Sequence, residues 1–204
     1  MLTRVVFLFD GFNLYHALHE NINYHKYKWL NLNKLANCFV TKSDQIVQIL
    51  YFTALATWSP EKVNRHKLLI RALELNNVKI IYGEFKRKDK YCTLCHNSYH
   101  TYEEKQTDVN IAIQLFELAI HDKFDKAIIV SGDSDLLPSI TAVRNNFPQK
   151  KIGIVIPIGR RAEALKNNCD FHIKMKEKHL QSSRFDQEIH IDDKVKLICP
   201  TAWR

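Results

Sequence analysis

The sequence predicts an α/β fold, a central parallel sheet with helices on both faces, three layers in all. Three observations carry that prediction. Short β-rich runs alternate with stretches of helical apolar spacing along most of the chain. The runs "VVFLF", "AIIV" and "IGIVI" are wholly or almost wholly apolar, as strands buried on both faces are. Acids and turn residues stand where two of these runs end, the edge at which parallel sheets bind ligands.

The elements follow in order. "RVVFLFD" reads as a first strand ending at Asp10, and Asn13 to Glu20 as a short helix. "LNLNKLANCFV" spaces Leu32, Leu35, Ala36 and Phe39 as a helix does. "QIVQILYFTAL" is the second strand. Ser59-Pro60-Glu61 starts a helix, with Ser59 as its cap and Pro60 in its first position, and this helix extends to about Asn76. "VKIIYGEF" is the third strand. A polar insert bearing Cys and His covers about 86–102. A helix from about Glu104 to His121 follows, its Val109, Ala112, Ile113, Phe116 and Ile120 forming the face expected to pack on the sheet. "KAIIVSG" is the fourth strand, Asp135 to Asn145 a helix, "KIGIVIP" the fifth strand, "RRAEALKNN" a helix and "DFHIKM" a short last strand. The tail from about Glu177 is polar and closes on "KLICPTAW".

A chain of 204 residues builds one domain with a sizeable core, with or without a small appendage. Its formal net charge of +8 favours polyanionic partners, nucleic acid above all, although a basic solvated surface is the plainer account. The five cysteines are an odd number, which argues against a disulfide framework. Cys38, Cys169 and Cys199 read as isolated, buried thiols. No apolar run approaches the length of a membrane span, and the opening "MLTRVVFLFDGFN" is interrupted at Asp10 too soon for a secretory signal. A cytoplasmic protein without a membrane partner is therefore expected, and homo-oligomer formation stays open.

Acids end two of the expected strands. The first closes on "FDGFN", where Asp10 leaves the sheet, Gly11 turns the backbone and Asn13 faces the same crevice. The fourth closes on "SGDSD", with Asp133 and Asp135. First and fourth strands are commonly neighbours at a switch point, so these acids can converge. Asp108 joins them from the first turn of the helix before the fourth strand. Carboxylates gathered in one pocket stay ionised together when a cation sits among them. Oxygen ligands with one amide suit Mg²⁺ or Mn²⁺, which activates water against a phosphate. Taken singly, each acid has a simpler role: Asp10, Asp133 or Asp135 as a helix cap, Asp108 as a partner of the helix dipole.

"FLFDGFNLYHAL", "EEKQTDVNIAIQLFELA" and "DKAIIVSGDSDLLPSI", in this order and spacing, resemble the NYN domain family, and its LabA-like branch in particular, within the PIN-like nucleases. The likeness covers roughly 3–175, so 1–176 is expected to be one PIN-like, Rossmann-like α/β/α domain and 177–204 a tail packed on it or on a partner. The closing "HL" and "PTAW" also resemble the tail of that branch. The resemblance implies a divalent-metal pocket held by Asp10, Asn13, Asp108, Asp133 and Asp135, directly or through water. It implies that Ser131 and Thr107 support these ligands, and that Lys105 contacts phosphate or steadies a carboxylate.

The insert "YCTLCHNSYH" offers Cys92, Cys95 and His100, and less easily His96, to a structural zinc ion. No second ligand pair follows downstream, and reduced thiols are the alternative. Tyr91, Tyr99 and Tyr102 lie beside Lys86 to Lys90, a pattern that stacks unpaired bases or simply packs a loop. His16, His19 and His25 are read as surface residues. The expected activity is metal-dependent endonucleolytic hydrolysis, acting on RNA rather than DNA. A catalytically silent nucleic-acid-binding regulator and a phosphatase or nucleotide hydrolase are the rivals. A dinucleotide enzyme is disfavoured, since only five glycines are present and no G-x-G-x-x-G follows the first strand.

Overall fold

The computed structural model describes residues 2–192 and 194–204. Six parallel strands form the central sheet: β1 (Thr3–Asp10), β2 (Asp44–Thr53), β3 (Val78–Tyr82), β6 (Lys126–Val130), β7 (Lys151–Ile156) and β8 (Phe171–Lys174). Their order is β3-β2-β1-β6-β7-β8. The chain reverses its direction of travel across the sheet between β1 and β6, which are parallel neighbours with Phe9 opposite Val130. That is the switch point expected to hold the acids.

Alternation along β1 divides the core into two. Val5, Phe7 and Phe9 face one side, where α1 (Gly11–His19), α2 (Leu32–Asn37) and α3 (Pro60–Glu74) bury Leu14, Leu35 and Leu73. Val6 and Leu8 face the other, against α4 (Thr107–Ile120), α5 (Leu137–Asn146) and α6 (Glu163–Asn168). All five of these β1 residues are fully buried. The last part of the chain holds α7 (Glu177–Ser182) and a two-stranded ribbon of β9 (Glu188–His190) and β10 (Lys196–Ile198). Its Leu180, Phe185, Leu197, Cys199 and Trp203 join the first core face. Trp29 anchors them: its indole Nε1 donates to the Asp186 carbonyl at 2.8 Å.

Three expectations are corrected. The insert is an antiparallel hairpin, β4 (Glu84–Tyr91) with β5 (Ser98–Lys105), and the expected third strand ends at Tyr82. Its strands are mostly exposed and lack apolar alternation; cross-strand charge pairs such as Lys88–Glu103, at 2.9 Å, hold them instead. Helix α4 consequently starts at Thr107, not near Glu104, and it buries a different face. Ile111, Leu115, Leu118 and Ala119 are buried, whereas Val109, Ile113 and Ile120 are more than half exposed. Two apolar stripes at helical spacing run along this helix, and periodicity does not choose between them. The third correction lies at "GDSDL", where a 3-10 turn over Ser134–Leu136 precedes α5.

Gly11 opens α1 directly against β2. A Cβ there would lie 2.5 Å from the Phe52 carbonyl oxygen and 2.8 Å from the Tyr51 ring. The carbonyl belongs to a paired central strand and has no room to yield. Gly11→Ala is expected to destabilise the fold by about 1–3 kcal/mol. Thermal unfolding followed by circular dichroism should show a midpoint several degrees lower; an unchanged midpoint would contradict this close packing.

Candidate functional site

The site is built where β1 and β6 leave the sheet side by side. Asp10 ends β1 and caps α1, its Oδ1 accepting the Asn13 backbone N–H at 2.9 Å. Ser131, the residue after β6, donates its hydroxyl to Asp10 Oδ2 at 2.8 Å. The same hydroxyl accepts the Asp133 N–H at 3.0 Å. Asn13 returns the link, its side-chain oxygen accepting the Gly132 N–H at 3.0 Å. The two strand ends are thus tied together by side chains of the D-G-x-N and S-G-D segments. Asp133 caps the 3-10 turn by accepting the Asp135 N–H at 2.9 Å. The cap role and the cleft role coincide in both Asp10 and Asp133.

A cleft of about 610 Å³ opens over these ends, with Asp10, Asn13, Asp108 and Asp133 in its wall. Burial pushes the Asp10 carboxyl up, while the Asn13 N–H and the Ser131 hydroxyl hold it down. Asp108 is pushed up to about 6, first by burial and then by the charges of Asp10, Asp133, Glu104 and Asp135. Five acids therefore share one field. Asp135 contributes to that field from an exposed position on the turn.

Glu104 escaped the sequence reading. It lies on β5 opposite Phe85, not in a helix, and faces the cleft together with Tyr102 and Phe85. Its Oε1 accepts the Thr107 backbone N–H at 3.1 Å at the start of α4. Strand alternation was the signal that separates it from Glu103, which pairs with Lys88 and Lys105 on the hairpin. Lys105 is thus engaged with Glu103, at 3.3 Å, and is not among the cleft residues. Thr107 is buried at the base of α4, its hydroxyl lacking a partner among the described residues.

Further cleft residues come from β2 and α3. Thr53 Oγ1 shares a hydrogen bond with His66 Nε2 at 3.2 Å. Burial pushes His66 down to about 4, so its ring is neutral at physiological pH. Trp58, ahead of α3, stacks on Tyr102 with ring centroids 3.7 Å apart, and Phe85 meets Trp58 edge-on at 4.7 Å. Tyr91 and Tyr99, grouped with Tyr102 in the sequence, are exposed on the hairpin and are not among the cleft residues.

No three His, Cys, Asp or Glu side chains among the described residues are grouped so as to hold a metal ion. The acids surround the cleft without closing into a ligand cage. Their donor chemistry still matches a hard divalent ion: oxygen alone, with mutual repulsion that a cation relieves. In the hairpin, Cys92 and Cys95 share the turn, and the backbone N–H groups of Cys95 and Leu94 pull the Cys92 thiol down. His100 is turned to Asp89 and Arg87, and His96 to the Tyr91 hydroxyl at 2.9 Å. The structure does not assemble these residues into a zinc site.

Asp108 supplies a stability test. Its folded value lies above the unfolded one, so the folded state holds this proton more tightly. Ionisation then removes stability as pH rises from about 4 to about 6, and the loss is complete above that window. The shift corresponds to about 3 kcal/mol at face value, and solvent screening of this half-exposed group reduces it to roughly 1 kcal/mol. Asp108→Asn is expected to raise the unfolding midpoint by about 2–4 °C at pH 7.5 in EDTA. At pH 4.5 the gain should shrink toward zero; an equal gain at both values would remove charge repulsion as its cause.

The 6-hydroxy-3-succinoylpyridine 3-monooxygenase of Pseudomonas putida is 24% identical to this chain over 208 residues, covering 85% of this chain and 65% of that protein. The chain thus spans less than two thirds of that relative's length. The crystal structure of a Vibrio parahaemolyticus protein of unknown function superposes with a TM-score of 0.59 at 17% identity, over 90% of this chain and 97% of that one. That likeness shows a shared fold. The NYN domain model matches residues 4–176, from β1 to the end of the sheet, and the chain therefore belongs to the NYN domain family.

Proposed function

We propose that the protein is a divalent-metal-dependent endonuclease that hydrolyses phosphodiester bonds, in RNA rather than DNA. The observation that carries this reading is the joint field of Asp10, Glu104, Asp108, Asp133 and Asp135 at the switch point of a basic protein. Membership of the NYN family points to nuclease chemistry in general. The LabA-like assignment rests on the D-G-x-N, K-x-x-D-V and S-G-D-S-D segments in their order and spacing, with the closing P-x-x-W of Pro200 and Trp203 as a further likeness.

Asp10, Asp108 and Asp133 are the residues that would hold the ion, with Asn13, Glu104 and Asp135 close by. When bound, a divalent ion supplies Lewis-acid stabilisation of a phosphate oxygen and lowers the pKa of water. The chain's own residues do the positioning. Ser131 and the Asn13 N–H hold Asp10 at a set angle, and Asn13 fixes the Gly132 turn that presents Asp133. Asp108 and Glu104, facing them from α4 and β5, are placed to orient an attacking water. Trp58 and Phe85 line the same cleft and offer aromatic surface to a base. The monooxygenase activity named for the Pseudomonas putida relative is not carried over, because the likeness is 24% identity over 65% of that protein.

Asp133→Asn keeps the volume and the turn but removes one charge. It is expected to lower manganese-dependent cleavage of an RNA pool by at least about a hundredfold. It should also diminish the rise in unfolding midpoint that manganese gives the wild type, a readout independent of turnover. Cleavage by the purified variant at the wild-type rate would end the assignment. RNA binding without cleavage by the wild type would favour the regulatory reading, and activity on mononucleotides alone would favour a phosphatase.

A further inference from the structure

Buried ammonium groups are ordinarily matched by carboxylates or carbonyls that replace the lost water. Lys150 follows that rule: at 3% exposure, its Nζ donates to Asp122 Oδ1 and the Phe124 carbonyl, both at 2.7 Å. Lys28 does not. It is 7% exposed, and its Nζ donates to His19 Nδ1 at 2.9 Å with the Tyr15 ring centroid 5.2 Å away. Among the described residues no carboxylate pairs with it; the charged group acting on it is Arg65, of like sign. Burial and Arg65 together push the ammonium down to about 8.

Lys28 and Arg65 line the same cleft as the acids. Arg65 stands on the cleft face of α3 with Lys62 and His66, at helical spacing, and its ion pair is a 3.8 Å contact with the exposed Glu61. Helix α1 gauges the separation of the two ends. Asp10 caps its start, and His19, which holds Lys28, is its last residue. Nine residues span about 13 Å of axis. Tyr51, Trp58 and Phe85 also line this cleft. One cleft thus holds excess negative charge, an aromatic wall and unmatched positive charge.

We propose that Lys28 and Arg65 form a phosphate subsite, which holds a phosphate of the polynucleotide about 13 Å along the cleft from the linkage presented to the acids, beyond the adjacent phosphate. The proposal rests on the nuclease reading for the identity of the strand, while the subsite itself rests on the unmatched buried cation. A bound phosphate supplies the missing counter-charge and accepts hydrogen bonds from both side chains. An internal diester and a terminal monoester share that chemistry.

The test measures binding of a short labelled oligoribonucleotide and of inorganic pyrophosphate in EDTA. The full chain is compared with Lys28→Met and Arg65→Met. Each variant should weaken binding of both probes by at least about tenfold. Each should also flatten the salt dependence of oligoribonucleotide binding by about 0.7 in log–log slope. Lys42→Met, on the exposed loop before β2, should change neither. A preference for the 5′-phosphorylated oligonucleotide over its 5′-hydroxyl form identifies a terminal monoester, and equal binding identifies an internal diester. Unchanged binding in Lys28→Met and Arg65→Met overturns the subsite, as does a wild type that binds neither probe. Arg65 is partly exposed, so Arg65→Met decides the matter if Lys28→Met fails to fold. Lys28-dependent binding in a protein that never cleaves RNA with manganese would overturn the nuclease reading and keep the subsite.

Discussion

A carboxylate at the end of a fully buried strand loses most of its water, and Asp10 is held there by two donors. The Ser131 hydroxyl reaches it from β6, and the Asn13 N–H reaches it from α1. That pair of bonds joins the two central strands at their carboxyl ends and sets the first turn of α1. Ser131 also receives the Asp133 N–H, so one hydroxyl bridges the acids of both strands. Gly11 and Asn13 are constrained by the same junction, one by contact with the Phe52 carbonyl and the other by its bond to Gly132.

The electrostatics follow from that junction. Once Asp10 and Asp133 are fixed side by side, any acid arriving from another element enters an already negative field. Asp108 does so from α4 and Glu104 from β5, and Asp108 is displaced upward to about 6. Under the proposed metal-dependent function, the repulsion that weakens the protein without a cation is the same quantity that would favour binding of one. Elsewhere in the cleft the sign reverses at Lys28 and Arg65, so the cleft is polar along its length although the protein as a whole is basic.

The hairpin shows where sequence reading fails. Its strands lack an alternating apolar face, and cross-strand partners that periodicity does not see hold it. Missing it displaced the start of α4 by three residues and hid Glu104. The exposed apolar stripe of Val109, Ile113 and Ile120 misled for a related reason. Two stripes satisfy the helical period equally, and only the docking of α4 against β1 and β2 selects Ile111 and Leu115. His66 and Lys28 carried no local signal, because burial, not neighbouring sequence, makes them unusual.

The parallel sheet, the order of its strands' appearance and the acids at the ends of β1 and β6 were determined by the sequence alone. Continuous apolar runs demand burial on both faces, and a charged residue following such a run must lie at the sheet edge. The identity of the buried face of α4 and the placing of Glu104, Lys28 and Arg65 in one cleft were decided by tertiary structure. These depend on contacts between segments remote in the chain, where the field or the solvent exclusion felt by one side chain is set by others that local spacing does not encode.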